Sequence, residues 1–351
     1  MRLDRRSFFR MSLGALALPA ALLRYRTIDV HSHYFPKEFL NSLRTEGSAP
    51  GFDVDFADPA RPILVQGTVR TPLDESYWDL EKRIRRMDAQ RVALHVLSLT
   101  TPMVHWAPPQ RGAALAKIVN DALVEANASF PERFIGCATL PLQAPDAALK
   151  EIERLSDKSA IRGVCLPTSL GDRELADPSV FPIYERCEAL NWTVLLHPVT
   201  VIGSARLQPY YLRNLLGNPY DTGVAAALLI FGGVLDRFPR LNFVLPHGGG
   251  TFPYLSGRLE KGQTVRPELK NKAERPVREY LHRFYYDTIT HSASQLRFLV
   301  DLAGTDRVML GSDYCFDMGD DHPVETVTKL KLSRADRDKV LFMNAQRVFR
   351  L

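Results

Sequence analysis

Five residues of this chain have the side chains and the placement to bind a metal ion and move a proton. His31 and His33 lie two apart in Asp29-Val30-His31-Ser32-His33. His197 follows Val194-Leu195-Leu196, His247 follows Phe243-Val244-Leu245-Pro246, and Asp313 follows Val308-Met309-Leu310-Gly311-Ser312. Each stands at the end of a short apolar run. On an extended chain, residues two apart point to one face, so His31 and His33 share a side. Three neutral imidazoles with a carboxylate suit Zn²⁺ or a similar divalent ion such as Mn²⁺, with a position left for water or substrate. One buried histidine is commonly a packing residue. Four of the nine histidines at the ends of apolar runs form a pattern that packing does not require.

The runs that carry these residues are Thr27–His33, Val92–Thr100, Phe134–Leu142, Ile161–Ser169, Thr193–Val199, Asn242–Gly250, Phe284–Ser292 and Val308–Cys315. Several are apolar without alternation, as parallel strands covered on both faces must be. Amphipathic stretches separate them, among them Leu80–Gln90, Arg111–Phe130, Ala147–Leu155, Phe181–Leu190, Ala225–Phe238 and Ser294–Leu302. Eight strand-and-helix units predict a (β/α)8 barrel, whose carboxyl strand ends converge on one mouth. A doubly wound open sheet is the competing architecture, but no glycine-rich phosphate turn follows the first strand. Long connections follow strands 1, 5 and 6 (residues 34–91, 200–223 and 251–283). Substrate pockets are built from such loops.

With 351 residues, 45% hydrophobic and 24% charged, the chain is not disordered, collagenous or disulfide-stapled. Its formal charge of +5 and basic isoelectric point invite a nucleic-acid or membrane-surface reading. Residues 1–26 hold six arginines against Asp4, which accounts for the whole excess. The remainder is neutral, and no basic cluster outside the leader resembles a nucleic-acid footprint. Nothing reaches the roughly 20 apolar residues of a membrane span. Arg5-Arg6-Ser7-Phe8-Phe9-Arg10 ahead of the apolar run Met11–Leu23 reads as a twin-arginine export signal, so the expected body is residues 27–351 and the expected location is periplasmic, or cytoplasmic if the leader does not function. The four cysteines share no metal or redox spacing and read as buried thiols. Gly248–Gly250 read either as a tight turn or as a set of backbone N–H groups presented to an anion.

Asp-Val-His-Ser-His-Tyr-Phe-Pro-Lys-Glu at 29–38, Leu-His-Pro at 196–198, His-Gly-Gly-Gly-Thr-Phe-Pro at 247–253 with Gly257-Arg258, and Gly-Ser-Asp-Tyr at 311–314 together resemble the amidohydrolase superfamily, in its aminocarboxymuconate-semialdehyde decarboxylase-like branch. Trp78-Asp79, Arg83-Ile84, Phe130-Pro131-Glu132-Arg133-Phe134 and Phe238-Pro239 add to the likeness. The resemblance implies that His31, His33, His197 and Asp313 hold Zn²⁺, that His247 is the acid/base, and that Arg258 reaches the carboxylate of a substrate in the other subunit of a homodimer. The position of the family's second carboxylate-binding arginine is Thr71 here, with Arg70 beside it as the candidate replacement. A pocket tryptophan is replaced by Asn214.

The implied activity is a metal-dependent decarboxylation of a small unsaturated or aromatic carboxylate. The metal lowers the pKa of a bound water and holds oxygens on which charge develops, while His247 passes a proton to the carbon that loses CO₂. Hydrolysis of a lactone, ester or amide, or a hydration, would use the same parts. A non-catalytic metal-binding module would be expected to show a spoiled ligand or base, and none is spoiled.

Overall fold

The computed structural model describes residues 26–46, 52–58, 62–66, 69–171 and 173–351, so the twin-arginine segment lies outside the described residues. Eight parallel strands form one sheet: β1 (Ile28–His33), β5 (Leu94–Ser98), β6 (Phe134–Thr139), β7 (Ile161–Pro167), β8 (Thr193–His197), β9 (Phe243–Leu245), β10 (Phe284–Asp287) and β11 (Val308–Met309). Neighbours in sequence pair in space throughout, and the final strand returns to the first. Val30 donates its N–H to the Leu310 carbonyl at 2.9 Å, and Ser32 bridges to Tyr314. This is the (β/α)8 barrel expected from the strand count.

Every residue of β1, β5, β6 and β8 is buried, because helices cover the outside and side chains fill the inside. Leu195 and Leu196 point to opposite faces yet are 1% and 0% exposed. Truncating either to Ala removes packing on a face that cannot collapse, a loss of about 2–5 kcal/mol. Where strands crowd, only hydrogen fits: a Cβ on Gly163 would stand 2.3 Å from the Thr193 carbonyl oxygen. The helices start on local signals. Asp79 caps Leu80–Gln90 by accepting from the Lys82 N–H at 2.9 Å, and Arg91 ends it in the left-handed region.

The connection after β1 contains structure that strand counting does not foresee. It holds a helix, Lys37–Glu46, and a small antiparallel sheet of β2 (Phe52–Asp55), β3 (Ile63–Gln66) and β4 (Val69–Pro72). A second core of Phe35, Phe39, Leu40, Leu43, Val54, Leu64 and Leu73 joins this flap to the Pro109–Ser129 helix of the barrel. The flap stands over the mouth into which the ligand-bearing strands open. No helix among the described residues is long and apolar enough to cross a membrane.

Candidate active site

The end of β1 puts His31 and His33 on the barrel interior, 1% and 0% exposed. β8 delivers His197, and the loop after β11 brings Asp313, each 6% exposed. One ligand atom from each of the four lies within 4.8 Å of all the others. His31 Nε2 is 3.0 Å from His33 Nε2 and 3.3 Å from Asp313 Oδ1, while His33 Nε2 is 3.0 Å from that same oxygen.

The other ring nitrogen of each histidine has an outward partner. His31 Nδ1 donates to Asp287 Oδ2 at 2.6 Å, His33 Nδ1 lies 3.4 Å from the Ser98 hydroxyl, and His197 Nδ1 is 2.6 Å from Thr100 Oγ1 and 3.0 Å from the Pro198 carbonyl. Partners at Nδ1 leave the Nε2 lone pairs facing inward. Without a cation these groups share protons unevenly. Burial opposes charge on His31, yet the Asp313 and Asp287 carboxylates carry it up to about 10, while burial drives His33 down to about 4. Burial and its neighbours' positive charge hold His197 well below its usual value. Burial would raise Asp313, but the imidazoles around it hold it well below the carboxylate range. Imidazole nitrogens aimed inward around an ionised carboxylate are a donor set that fits a divalent metal ion, which would displace the His31 proton.

His247 stands beside this set without belonging to it. Its Nε2 is 3.8 Å from Asp313 Oδ2, its Nδ1 is buried without a hydrogen-bond partner, and its ring centroid lies 5.3 Å from that of His31 and 5.6 Å from that of His197. The backbone that aims it is strained: His247 has φ 54° and Asp313 φ 57°, left-handed values that non-glycine residues seldom adopt. The glycines after His247 make this turn possible. A Cβ on Gly250 (φ 59°) would stand 2.0 Å from the Pro219 carbonyl oxygen. The anion that meets this turn is the protein's own. Asp287 accepts the N–H of His247 at 2.9 Å and of Gly248 at 2.7 Å, while Gly249 and Gly250 donate to Pro246 and His247 carbonyls. One carboxylate on β10 thus orients both His31, a member of the candidate metal set, and His247. Asp287 stands in the seventh predicted strand as a possible partner of the site, but no spacing in the sequence fixes that role, since His31 is 256 residues away.

Two cavities meet at the cluster. The larger, about 380 Å³, is mainly apolar, with Leu215, Pro253, Ile289, Phe298 and Met318 in its wall together with His291. The smaller, about 60 Å³, contains Thr71, Thr100, His197, Tyr211, Arg213 and Phe316. His247, Asp313 and Asn214 belong to both.

The two expected substrate-binding arginines fall outside these cavities. Arg70 is a correction to the sequence reading: it pairs with Asp55 at 2.6 Å across the flap and is half exposed, while its neighbour Thr71 lines the small cavity. Strand alternation decides this, since adjacent residues on β4 face opposite sides. Arg258 lies exposed on the outer part of the Phe252–Val265 helix, away from this chain's own cavities. His95 is fully buried beside Arg83 and Asp29, and Tyr34 and Phe35 are core residues. Arg83, fully buried, donates to the His33 and Ser76 carbonyls and lies against the Tyr314 and Tyr34 rings at 4.7 and 5.7 Å, which pins the end of β1. Cys137, Cys165 and Cys187 are buried free thiols, and Cys315 is partly buried and free.

Residues 28–351 match the amidohydrolase family described as Amidohydrolase. The chain is 34% identical over 324 residues to 2-amino-3-carboxymuconate-6-semialdehyde decarboxylase of Dictyostelium discoideum, covering 91% of this chain and 90% of that protein. Among solved structures, Metarhizium anisopliae IDCase in apo form superposes with a TM-score of 0.82 at 27% identity, covering 92% and 97% of the two chains. Dihydroxybenzoic acid decarboxylase from a Polaromonas species, with bound manganese and the inhibitor 2-nitroresorcinol, superposes with a TM-score of 0.77 at 26% identity, covering 93% and 97%. The barrel, its inward-facing histidines and these likenesses give one conclusion: the chain belongs to the amidohydrolase superfamily, in the branch of aminocarboxymuconate-semialdehyde decarboxylase-like proteins.

Proposed function

We propose that this protein is a metal-dependent decarboxylase of a small aromatic or unsaturated carboxylic acid. One observation carries the reading beyond its relatives' activity: His247, outside the ligand set, stands in the wall shared by an apolar cavity of ring size and a smaller cavity lined mostly by residues with polar groups, 3.8 Å from a metal ligand. When bound, the divalent ion supplies positive charge that stabilises oxygens gaining electron density. The apolar cavity orients the planar substrate, and His247 delivers a proton to the carbon bearing the carboxylate. Protonation there interrupts conjugation; breaking the C–CO₂ bond returns the electron pair to the ring or diene and restores it. The orphaned Nδ1 of His247 and its strained turn suit a group held for proton transfer and not for packing.

Three histidines and one aspartate suit zinc, and manganese is present in the Polaromonas relative. Elemental analysis of protein grown without added metal decides between them. A homodimer is supported by exposed apolar side chains at the large cavity's rim, where Tyr254 is 82%, Phe298 45% and Leu215 44% exposed, with Arg258 on the same helix as Tyr254. Sedimentation at micromolar concentration tests it, and a monomer with full activity refutes the crossing arginine. Export rests on the twin arginines and apolar run alone, and is tested by fusing residues 1–30 to a reporter.

The decisive measurement is CO₂ release from ortho-hydroxylated benzoates and carboxymuconate-like acids. His247→Ala is expected to keep its metal and lose at least 100-fold in kcat. His197→Ala and Asp313→Ala are expected to lose metal and activity together. CO₂ from no acid, alongside cleavage of an ester or lactone, would overturn the reading.

A further inference from the structure

The small cavity contains a cation that the reaction as described does not use. Arg213 is the one arginine or lysine lining either cavity among the described residues. Its side chain is partly buried, and one Nη2 hydrogen goes to the Val199 carbonyl. A guanidinium has five N–H donors in a planar fork shaped for a carboxylate. Among the described residues no carboxylate oxygen lies within 4.0 Å of it, although Asp221 is near enough to be felt. Asp221 is committed elsewhere, to the Thr168 hydroxyl and the Ile202 N–H.

The loop that carries Arg213 is built at a conformational cost. Tyr210 and Tyr211 are consecutive non-glycine residues with φ 59° each. Bulky residues in this region persist where surroundings over-determine them, and such strain gathers at ligand-binding sites. Its effect here is to split the pair: Tyr210 is 87% exposed, while Tyr211 turns into the cavity with Arg213. Burial pushes the Tyr211 phenol up to about 12, with the Asp313 and Asp317 charges adding to the rise, so its hydroxyl remains a donor.

Charge flow decides what these donors can hold. The carboxylate that leaves as CO₂ loses its negative charge on the way, so a guanidinium clamped on it would hold the ground state back. A cation in the site serves an anionic group that keeps its charge. The small cavity, about 60 Å³, takes a substituent and not a ring, which belongs in the cavity of about 380 Å³.

We propose that Arg213, with the Tyr211 hydroxyl, binds an anionic substituent that the substrate keeps through the reaction, so that the preferred substrates are dicarboxylates. This rests on the decarboxylase reading for its chemistry, but its test does not.

Isophthalate and benzoate, neither with an ortho hydroxyl, are titrated calorimetrically into the metal-loaded protein and into chelated protein. The wild type is expected to bind isophthalate at least tenfold more tightly than benzoate in the loaded form. Arg213→Met and Arg213→Gln are expected to weaken isophthalate by roughly 10- to 100-fold and benzoate by less than twofold. Gln keeps a donor for the Val199 carbonyl, so a fold defect in the Met variant leaves the test standing. Arg213→Lys recovers part of the loss, and Tyr211→Phe costs isophthalate about three- to tenfold. No wild-type preference for isophthalate, or equal weakening of both ligands, overturns the assignment. If the binding preference holds while no acid in the panel releases CO₂, the decarboxylase reading fails and the anion site stands.

Discussion

Replacing Asp287 by Asn tests whether one carboxylate organises the site. The residue is 1% exposed and its two oxygens accept four bonds: Oδ2 from His31 Nδ1 at 2.6 Å and the His247 N–H at 2.9 Å, Oδ1 from the Gly248 N–H at 2.7 Å and the Ile289 N–H at 3.0 Å. Asparagine turns one of these acceptors into an NH₂ donor. If the amide occupies the Oδ1 side, the Gly248 and Ile289 N–H groups both lose their acceptor. If it occupies the Oδ2 side, His247 loses its anchor and His31 must move its proton to Nε2, the nitrogen that faces the metal. Two orphaned buried donors cost about 2–6 kcal/mol at about 1–3 each. The tautomer change, where it occurs, instead weakens metal binding by about 10- to 100-fold, or about 1.4–2.7 kcal/mol. Competition against a chromogenic chelator measures the affinity, and thermal unfolding with and without chelator measures the fold. Metal affinity within twofold of wild type, with an unchanged Tm, would refute the role given to Asp287.

Thr100→Val removes one of two partners of His197 Nδ1 and leaves the Pro198 carbonyl, so metal affinity is expected to fall by less than tenfold, clearly less than in D287N. Stripping the metal with excess chelator is expected to lower Tm by several degrees, since a ligand present at 100 times its Kd adds about 2.7 kcal/mol to the folded state; an unchanged Tm would mean no resident ion. Burial pulls His105 down to about 4, so the unfolded chain takes up this proton first as pH falls. Stability is therefore fully present above pH 6.5 and is lost between about 6.5 and 4, and His105→Gln is expected to flatten that stretch of the pH-stability curve measured in chelator.

The barrel was legible because its physics is repeated. Eight apolar runs reappear as β1 and β5–β11, shortened where the backbone leaves the sheet to build the mouth: β9 stops at Leu245 because Pro246 has no N–H to donate, and β11 ends at Met309 ahead of the Asp313 turn. The metal ligands were legible because side-chain period two and strand ends suffice to place them. The flap was not, since its four-residue strands alternate too briefly to stand out from a loop rich in proline and aspartate. Arg70 failed for a related reason, one residue of register separating it from Thr71, which lines the cavity. Asp287, Arg83 and Arg213 act through contacts that no local period reports, such as a hydrogen bond between residues 31 and 287 or a strained turn that carries one tyrosine inward.

The join between the first and last strands has a consequence for how the enzyme comes into being. His33 is made 280 residues before Asp313, and the same seam is closed by Val30 with Leu310 and by the Ser312 N–H donating to Asp29 at 3.1 Å. A nascent chain therefore carries this histidine pair without Asp313 until the last barrel strand has been made. Folding in the order of synthesis can build the β5–β8 half of the barrel first, yet the full ligand set waits for the segment after β11. Metal acquisition is thus a late step, and a chain interrupted anywhere before the last strand is an inert scaffold and not a partly active enzyme.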